Sequence, residues 1–238
     1  MRSICAAFWR ASPKGRELCE GNNYFASAYS MVINWYGEAC FKIQTGETVI
    51  LTDPFSAEGD TGVGLTPPRL KADVTLRTLT ALPTTYVSEP TLSLIEGPGE
   101  YAVKGVKIAG WQVLKENDAQ SMKTVYRMEA EELRLGFLGH IGDLPEADVL
   151  ERLGDVDVLF LPAGGAPYLD EEKAAKLARQ MNAKVVIATL FKVPGLKRKA
   201  EEPKEFLKEL EVKAEPQEKL VIKKKDLPTQ VMVFLPRL

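Results

Sequence analysis

The chain contains a single histidine, His140, and a carboxylate stands three residues later at Asp143. An imidazole beside a carboxylate can act as an oriented general base or as part of a metal site. Both residues fall in a loop after the apolar segment Leu133 to Leu138. The plainer alternative is a loop histidine bonded to backbone, with Asp143 capping a helix that starts near Pro145. Two further carboxylates close apolar segments: Glu38 follows INWYG, and Asp53 stands before Pro54 in TVILTDPF. Glu38, Asp53, His140 and Asp143 together would make an oxygen-rich set suited to Mg²⁺ or Mn²⁺. Asp53 reads equally as a hydrogen-bond acceptor at a strand end. Arg77 and Lys192 would make a positive rim able to hold a phosphate or carboxylate, unless solvated or paired with acids such as Glu38.

The stretch Pro67 to Tyr86, PPRLKADVTLRTLTALPTTY, organises these candidates. It reads as a loop, a short buried strand over Ala72 to Leu76 and a second loop. Such a strand delivers its following loop to the sheet end where α/β proteins place their chemistry. Yet Thr78 to Tyr86 contains no His, Cys, Asp or Glu.

The chain has 238 residues, 45% hydrophobic and 27% charged, the balance of a globular protein with ample core material. A net charge of −2 gives no global pull toward nucleic acid or an anionic membrane. No apolar run approaches the roughly 18 residues of a membrane span. The three cysteines, Cys5, Cys19 and Cys40, have neither CxxC nor zinc-knuckle spacing. That usage points to a reducing, cytoplasmic setting. Residues 1–30 have no sustained period and read as an extension outside the fold, disordered or weakly packed, with Met31 as the functional start.

From Met31 onward the periods are clear. Strands are expected over MVINWYG, EACFKIQTG and TVILTDPF, with a turn at Gly46 and Glu47. Further strands are expected over Leu92 to Glu96, around Tyr101 and over Val106 to Leu114, then a hairpin of Thr124 to Met128 with Leu133 to Leu138. Helix and strand alternate afterwards: helix Glu146 to Leu153, strand Val156 to Leu161, then a helix over Glu171 to Met181 capped by Asp170. Strand Val185 to Thr189, an amphipathic helix over Pro203 to Leu210, and strands Lys219 to Lys223 and Gln230 to Leu235 complete the chain. Meandering strands followed by βα units predict one mixed sandwich domain over residues 31–238. The clusters Lys197-Arg198-Lys199 and Lys223-Lys224-Lys225 are interspersed with glutamates and read as solvated faces.

Four segments resemble the metallo-β-lactamase superfamily, and most nearly its branch of small metal-dependent hydrolases related to ascorbate-phosphate lactonase. They are INWYGEACFKIQTGETVILTDPF, PPRLKADVTL, EGPGEYAVKGVKIAG and LGDVDVLFLPAGGAPYLDEEKAAKLARQMNAKVVIATLFK. The resemblance implies an α/β (α+β) fold, a four-layer αββα sandwich of two mixed sheets with metals at the rim between them. Its HxHxDH loop would supply imidazole and carboxylate ligands at about 2.0–2.2 Å from zinc. Carried over without gaps, those ligands fall on Leu79, Ala81, Pro83 and Thr84. The histidine of the family's GHSxF pattern becomes Glu38, and the His-x-Gly-Asp-x-Gly-His run becomes Phe137, His140 and Asp143. The final histidine becomes Leu190. The framing residues remain, among them Gly37, Phe41, Asp53, Pro54, Gly97, Gly99, Glu100, Gly164, Gly165 and Lys192.

The expectation is therefore a fold without its metal centre, with no cofactor, acting as a binding, regulatory or assembly module. It would pair with itself or with an active relative, and not with nucleic acid or a membrane. Leu79, Phe137 and Leu190 should then pack together into a dry, plugged cleft, each burial being worth about 1.5–3 kcal/mol. The alternative is a divergent hydrolase of a phosphorylated or lactone-like small molecule, using Mn²⁺ or Mg²⁺ held by Glu38, Asp53, His140 and Asp143.

Overall fold

A computed structural model describes residues 30–56, 62–83 and 93–238. The extension expected over residues 1–30 therefore falls, except for Ser30, outside the described residues, as does Thr84.

Alternating burial shapes the first strands. β1 (Met31–Trp35), β2 (Phe41–Thr45) and β3 (Thr48–Thr52) form an antiparallel meander, with Met31, Ile33, Trp35, Phe41 and Ile43 turned inward. β4 (Val74–Arg77) then lies parallel to β3. β5 (Leu79–Ala81) leaves this sheet altogether. β6 (Ser93–Glu96) returns parallel to β4. β7 (Gly99–Val103), β8 (Val106–Gln112), β9 (Ser121–Ala130) and β10 (Leu133–Phe137) form a second antiparallel meander.

The remaining chain is βα-like. α1 (Ala147–Leu153) precedes β11 (Val158–Pro162), and α2 (Glu171–Gln180) precedes β12 (Val185–Thr189). α3 (Lys204–Glu209), β13 (Pro216–Gln217), β14 (Lys219–Ile222) and β15 (Met232–Pro236) follow. Asp170 caps α2 by accepting from the Lys173 amide at 2.8 Å. α1 starts instead at Glu146, whose side chain makes no capping bond, so Asp143 is not the cap expected there.

Two mixed sheets result, ordered β14-β1-β2-β3-β4-β6 and β13-β15-β12-β11-β10-β9-β8-β7, with β5 attached to β9. They face one another across the larger of two apolar clusters among the described residues. Phe41 of the first sheet meets Phe160 of the second edge-on at 4.9 Å, and Phe160 stacks on Phe137 at 4.5 Å. α1 packs on β9, α2 on β11, and α3 on α2. β3, β4, β10, β11 and β12 all deliver their C-terminal ends to one edge of the sandwich. There β3 ends beside Asp53, β4 beside Thr78, β10 beside the His140 loop and β12 beside Leu190.

The segment Thr78 to Tyr86, read from sequence as a loop, carries β5. Leu79, Thr80 and Ala81 pair antiparallel with Lys123, Met122 and Ser121 of β9. The partner strand begins more than forty residues away in sequence, so no local period announces a three-residue strand.

Candidate functional site

Glu38 sits in the turn after β1 with φ +51, and the turn is tied from three sides. Trp35 Nε1 donates to the Glu38 carbonyl at 2.9 Å, Thr52 Oγ1 donates to the Ala39 carbonyl at 2.7 Å, and Thr52 Oγ1 accepts from the Phe41 amide at 3.0 Å. The Glu38 side chain is 7% exposed and points at Arg198. Arg198 Nη2 donates to Glu38 Oε2 at 3.0 Å and Nε to the same oxygen at 3.2 Å. Nη2 also reaches the Leu190 carbonyl at 2.8 Å, and Nη1 the Lys199 carbonyl at 2.9 Å. Of five guanidinium N–H groups only one, on Nη1, is left over. The guanidinium also lies over the Tyr168 ring, 4.9 Å from its centroid. Arg198, expected on a solvated face, is thus a half-buried counterion, while neighbouring Lys197 and Lys199 remain exposed.

Asp53 terminates β3 with φ +37. Its Oδ1 accepts from the Thr78 amide at 2.7 Å and its Oδ2 from the Thr78 hydroxyl at 2.8 Å. The same hydroxyl lies 2.8 Å from His140 Nδ1. A hydroxyl has one proton to give. With Asp53 ionised that proton goes to the carboxylate, so His140 must donate from Nδ1–H. Burial pushes the Asp53 carboxyl above its ordinary range, opposed by His140, by the two Thr78 bonds and by Arg77.

The loop bearing His140 is fixed by Glu116. That carboxylate accepts from the Gly142 amide at 2.6 Å and the Asp143 amide at 3.0 Å, and is itself neutralised by Lys123 at 2.7 Å. Gly139 lets the loop close on β4: at φ +55, a Cβ there would stand 2.0 Å from Thr78 Oγ1. Tyr168 meets the His140 ring edge-on at 5.5 Å, and burial raises the pKa of its phenol.

Several expected groupings do not form. His140 and Asp143 are not partners; Asp143 is exposed, accepts from the Leu144 amide and pairs with Lys173 at 3.0 Å. Those bonds hold the Asp143 carboxyl below the usual range, the amide first and Lys173 second. Nor is His140 held by backbone; its ring partner is a side chain. Arg77 does reach the cavity, but Lys192 lines a different groove beside α3 and the C-terminus, and Arg198 takes the rim role assigned to it.

The plug is also only half made. Phe137 and Leu190 are buried, 2% and 0% exposed, but Leu190 joins neither apolar cluster among the described residues. Leu79 is 38% exposed on β5, and Ala81 and Pro83 are exposed too. Leu79 is not buried with Phe137 and Leu190, because pairing of β5 with β9 turns Thr80 inward and leaves Leu79 on the exposed wall of the cavity. The deep end has closed to about 10 Å³ between Asp53, Thr78, Phe137, Phe160 and Thr189, room for about one water. Above it a cavity of about 200 Å³ stays open, its wall shared between the apolar Pro54, Phe55, Val63 and Leu79 and the polar or charged Glu38, Asp53, Arg77, His140, Tyr168 and Arg198.

The sequence model of the Beta-lactamase superfamily domain matches residues 32–190. The chain belongs to the metallo-β-lactamase superfamily. A Thermotoga maritima structure, described as a Zn-dependent hydrolase of the metallo-β-lactamase superfamily, is 27% identical with a TM-score of 0.70, covering 87% of this chain and 100% of that one. A metal-dependent hydrolase structure from Parabacteroides distasonis is 17% identical, TM-score 0.54, covering 86% and 92%. A metallo hydrolase from Ignicoccus hospitalis is 15% identical, TM-score 0.54, covering 88% and 97%. The last two speak to the fold alone. No curated protein matches the sequence.

Among the described residues no three His, Cys, Asp or Glu side chains are grouped to hold a metal ion. Glu38 is engaged by a guanidinium and Asp53 by Thr78, while Asp143 faces Lys173. Leu79, Ala81 and Pro83 stand at three carried-over ligand positions. This arrangement does not fit a metallo-β-lactamase zinc centre. Sequence reasoning missed Thr78, Tyr168, Arg198 and Glu116. Only Arg198, in a basic cluster behind a family strand, offered any signal.

Proposed function

We propose that this metallo-β-lactamase-fold protein works without the superfamily's metal centre, as a non-catalytic binding module whose ligand enters the cavity beside His140. The carrying observation is the state of its carboxylates. A metal site needs carboxylates whose charge is answered by the ion, whereas Glu38 is already answered by Arg198 across a largely buried pair. Adding a dication would bring like charge beside a guanidinium with few donors to offset desolvation. The open cavity supports binding rather than a purely structural remnant, since a site with no use could have closed with carbon.

The strained backbone agrees with this reading. Glu38, Asp53 and Leu190 hold positive φ values of 51°, 37° and 57° around the cleft. Such residues cost on the order of 1–3 kcal/mol each and gather where a site is held in place. The test is a thermal melt and a hydrolysis assay on a phosphodiester and on a lactone, each with added Zn²⁺, Mn²⁺ or Mg²⁺. The proposal expects no metal-dependent stabilisation and no turnover. Metal-dependent turnover abolished by Glu38→Gln would instead favour a hydrolase with a rebuilt oxygen-rich site.

A further inference from the structure

Beside the inner cavity lies a trough of about 810 Å³, and the two share Pro54, Phe55 and Arg77. Three cations line the trough: Arg69 from the loop before β4, Arg77 from the end of β4, and Lys197 from the segment after β12. No acidic residue lines it among the described residues. Among the described residues none of the three forms an ion pair, although Arg77 lies close enough to the buried Asp53 to favour its charged form. Glu96 is the register neighbour of Arg77 on β6, yet forms no ion pair with it. In a chain of net charge −2, three cations around one concavity with no described carboxylate in its lining are a local arrangement and not a consequence of composition.

The trough is also built rather than incidental. The Lys197 amide donates to the Val63 carbonyl at 2.9 Å, tying the cation-bearing segment to the loop opposite. The closeness is such that a Cβ on Gly64 would lie 2.3 Å from the Gly195 carbonyl oxygen and 2.8 Å from Lys197 Cγ. Arg198, the next residue, anchors the same segment to Glu38. This ion pair therefore positions Lys197, while Arg69 and Arg77 offer guanidinium forks of the kind that grip oxyanions. Its volume lies in the range of small-molecule sites.

We infer that this trough seats the oxyanion, phosphoryl or carboxylate, of a small ligand whose remainder reaches into the inner cavity toward His140. The inference rests on the metal-free reading above and names the ligand class for the same site. A single-stranded nucleic acid would need cations strung along a face, and these three surround one hollow.

The test is calorimetric titration of the full chain at low ionic strength with inorganic pyrophosphate, with citrate and with a ten-nucleotide single-stranded DNA, each with and without chelator. Saturable, chelator-insensitive binding of pyrophosphate or citrate is expected, and the preferred probe tells a phosphoryl from a carboxylate ligand. Arg77→Gln should weaken it about tenfold, the loss of one charge-assisted contact, and the Arg69→Gln/Lys197→Gln pair at least as much. Absence of binding, or binding indifferent to these substitutions, would overturn the inference and leave the metal-free reading standing. Binding that appears only with added Mn²⁺ and vanishes with chelator would overturn the metal-free reading instead. DNA bound more tightly than pyrophosphate would overturn the small-ligand class.

Discussion

Glu38 and Asp53 line one cavity, and the protein answers their charges differently. Glu38 is met by a full countercharge, a guanidinium supplied from 160 residues away in sequence. Asp53 is met by one residue, Thr78, through an amide and a hydroxyl, and by the imidazole behind it. The first arrangement fixes a segment of chain; the second fixes the donor role of an imidazole nitrogen. A direct charge pair serves where a loop must be held, whereas amide and hydroxyl donors, with His140 and Arg77 farther out, serve where a strand end is already in place.

This contrast can be broken at its strongest point first. Arg198→Ala leaves Glu38 buried without a partner and should cost about 3 kcal/mol in chemical denaturation. The Arg198→Met/Glu38→Gln double variant should recover much of that loss. Equal losses in the single and double variants would show that Arg198 acts by packing on Tyr168 alone. Next in size is Gly139→Ala, which drives a methyl into Thr78 at a positive φ. It should cost about 2 kcal/mol and loosen the His140–Thr78 contact, seen as a shift in the imidazole nitrogen resonances.

Asp53→Asn is the subtler case. An asparagine can still accept from the Thr78 amide, but its Nδ2 now donates to the Thr78 hydroxyl. That hydroxyl must then donate to His140 Nδ1 and force the Nε2–H tautomer. Nitrogen chemical shifts of the single imidazole should report the exchange. Because the Asp53 pKa is raised in the folded state, the wild type is favoured by this group at low pH and loses that contribution as pH rises through the raised value. Asp53→Asn should therefore gain on the wild type as pH rises from the ordinary carboxylate range through the raised value. A difference constant with pH would mean that the carboxyl titrates normally. Smallest of all, Asp143→Asn removes an exposed pair with Lys173. It should leave the melting temperature unchanged.

Much of the fold was legible because its signals are local. The period of two in Met31 to Trp35, the turn at Gly46 and the cap at Asp170 each specify their own element. The site was less legible because its decisive bonds join distant residues. Thr78 looks like any strand-end threonine until Asp53 and His140 are placed around it. Arg198 looks solvated because its neighbours are Lys197 and Lys199, and only tertiary structure shows which of the three turns inward. Leu79 was expected to fill the cleft by analogy of position, but β5 pairing with β9 decided which face it occupies. Substituted ligand positions are visible in a sequence; which side chains answer the carboxylates beside them is not.

The central claim is that this cleft balances its own charges. Elemental analysis of the full chain, purified without chelator and then equilibrated with excess Zn²⁺ and Mn²⁺ before gel filtration, tests it most directly. The account predicts metal far below one equivalent per chain, unchanged by Glu38→Gln or His140→Ala. One or more equivalents, lost in either variant, would contradict it.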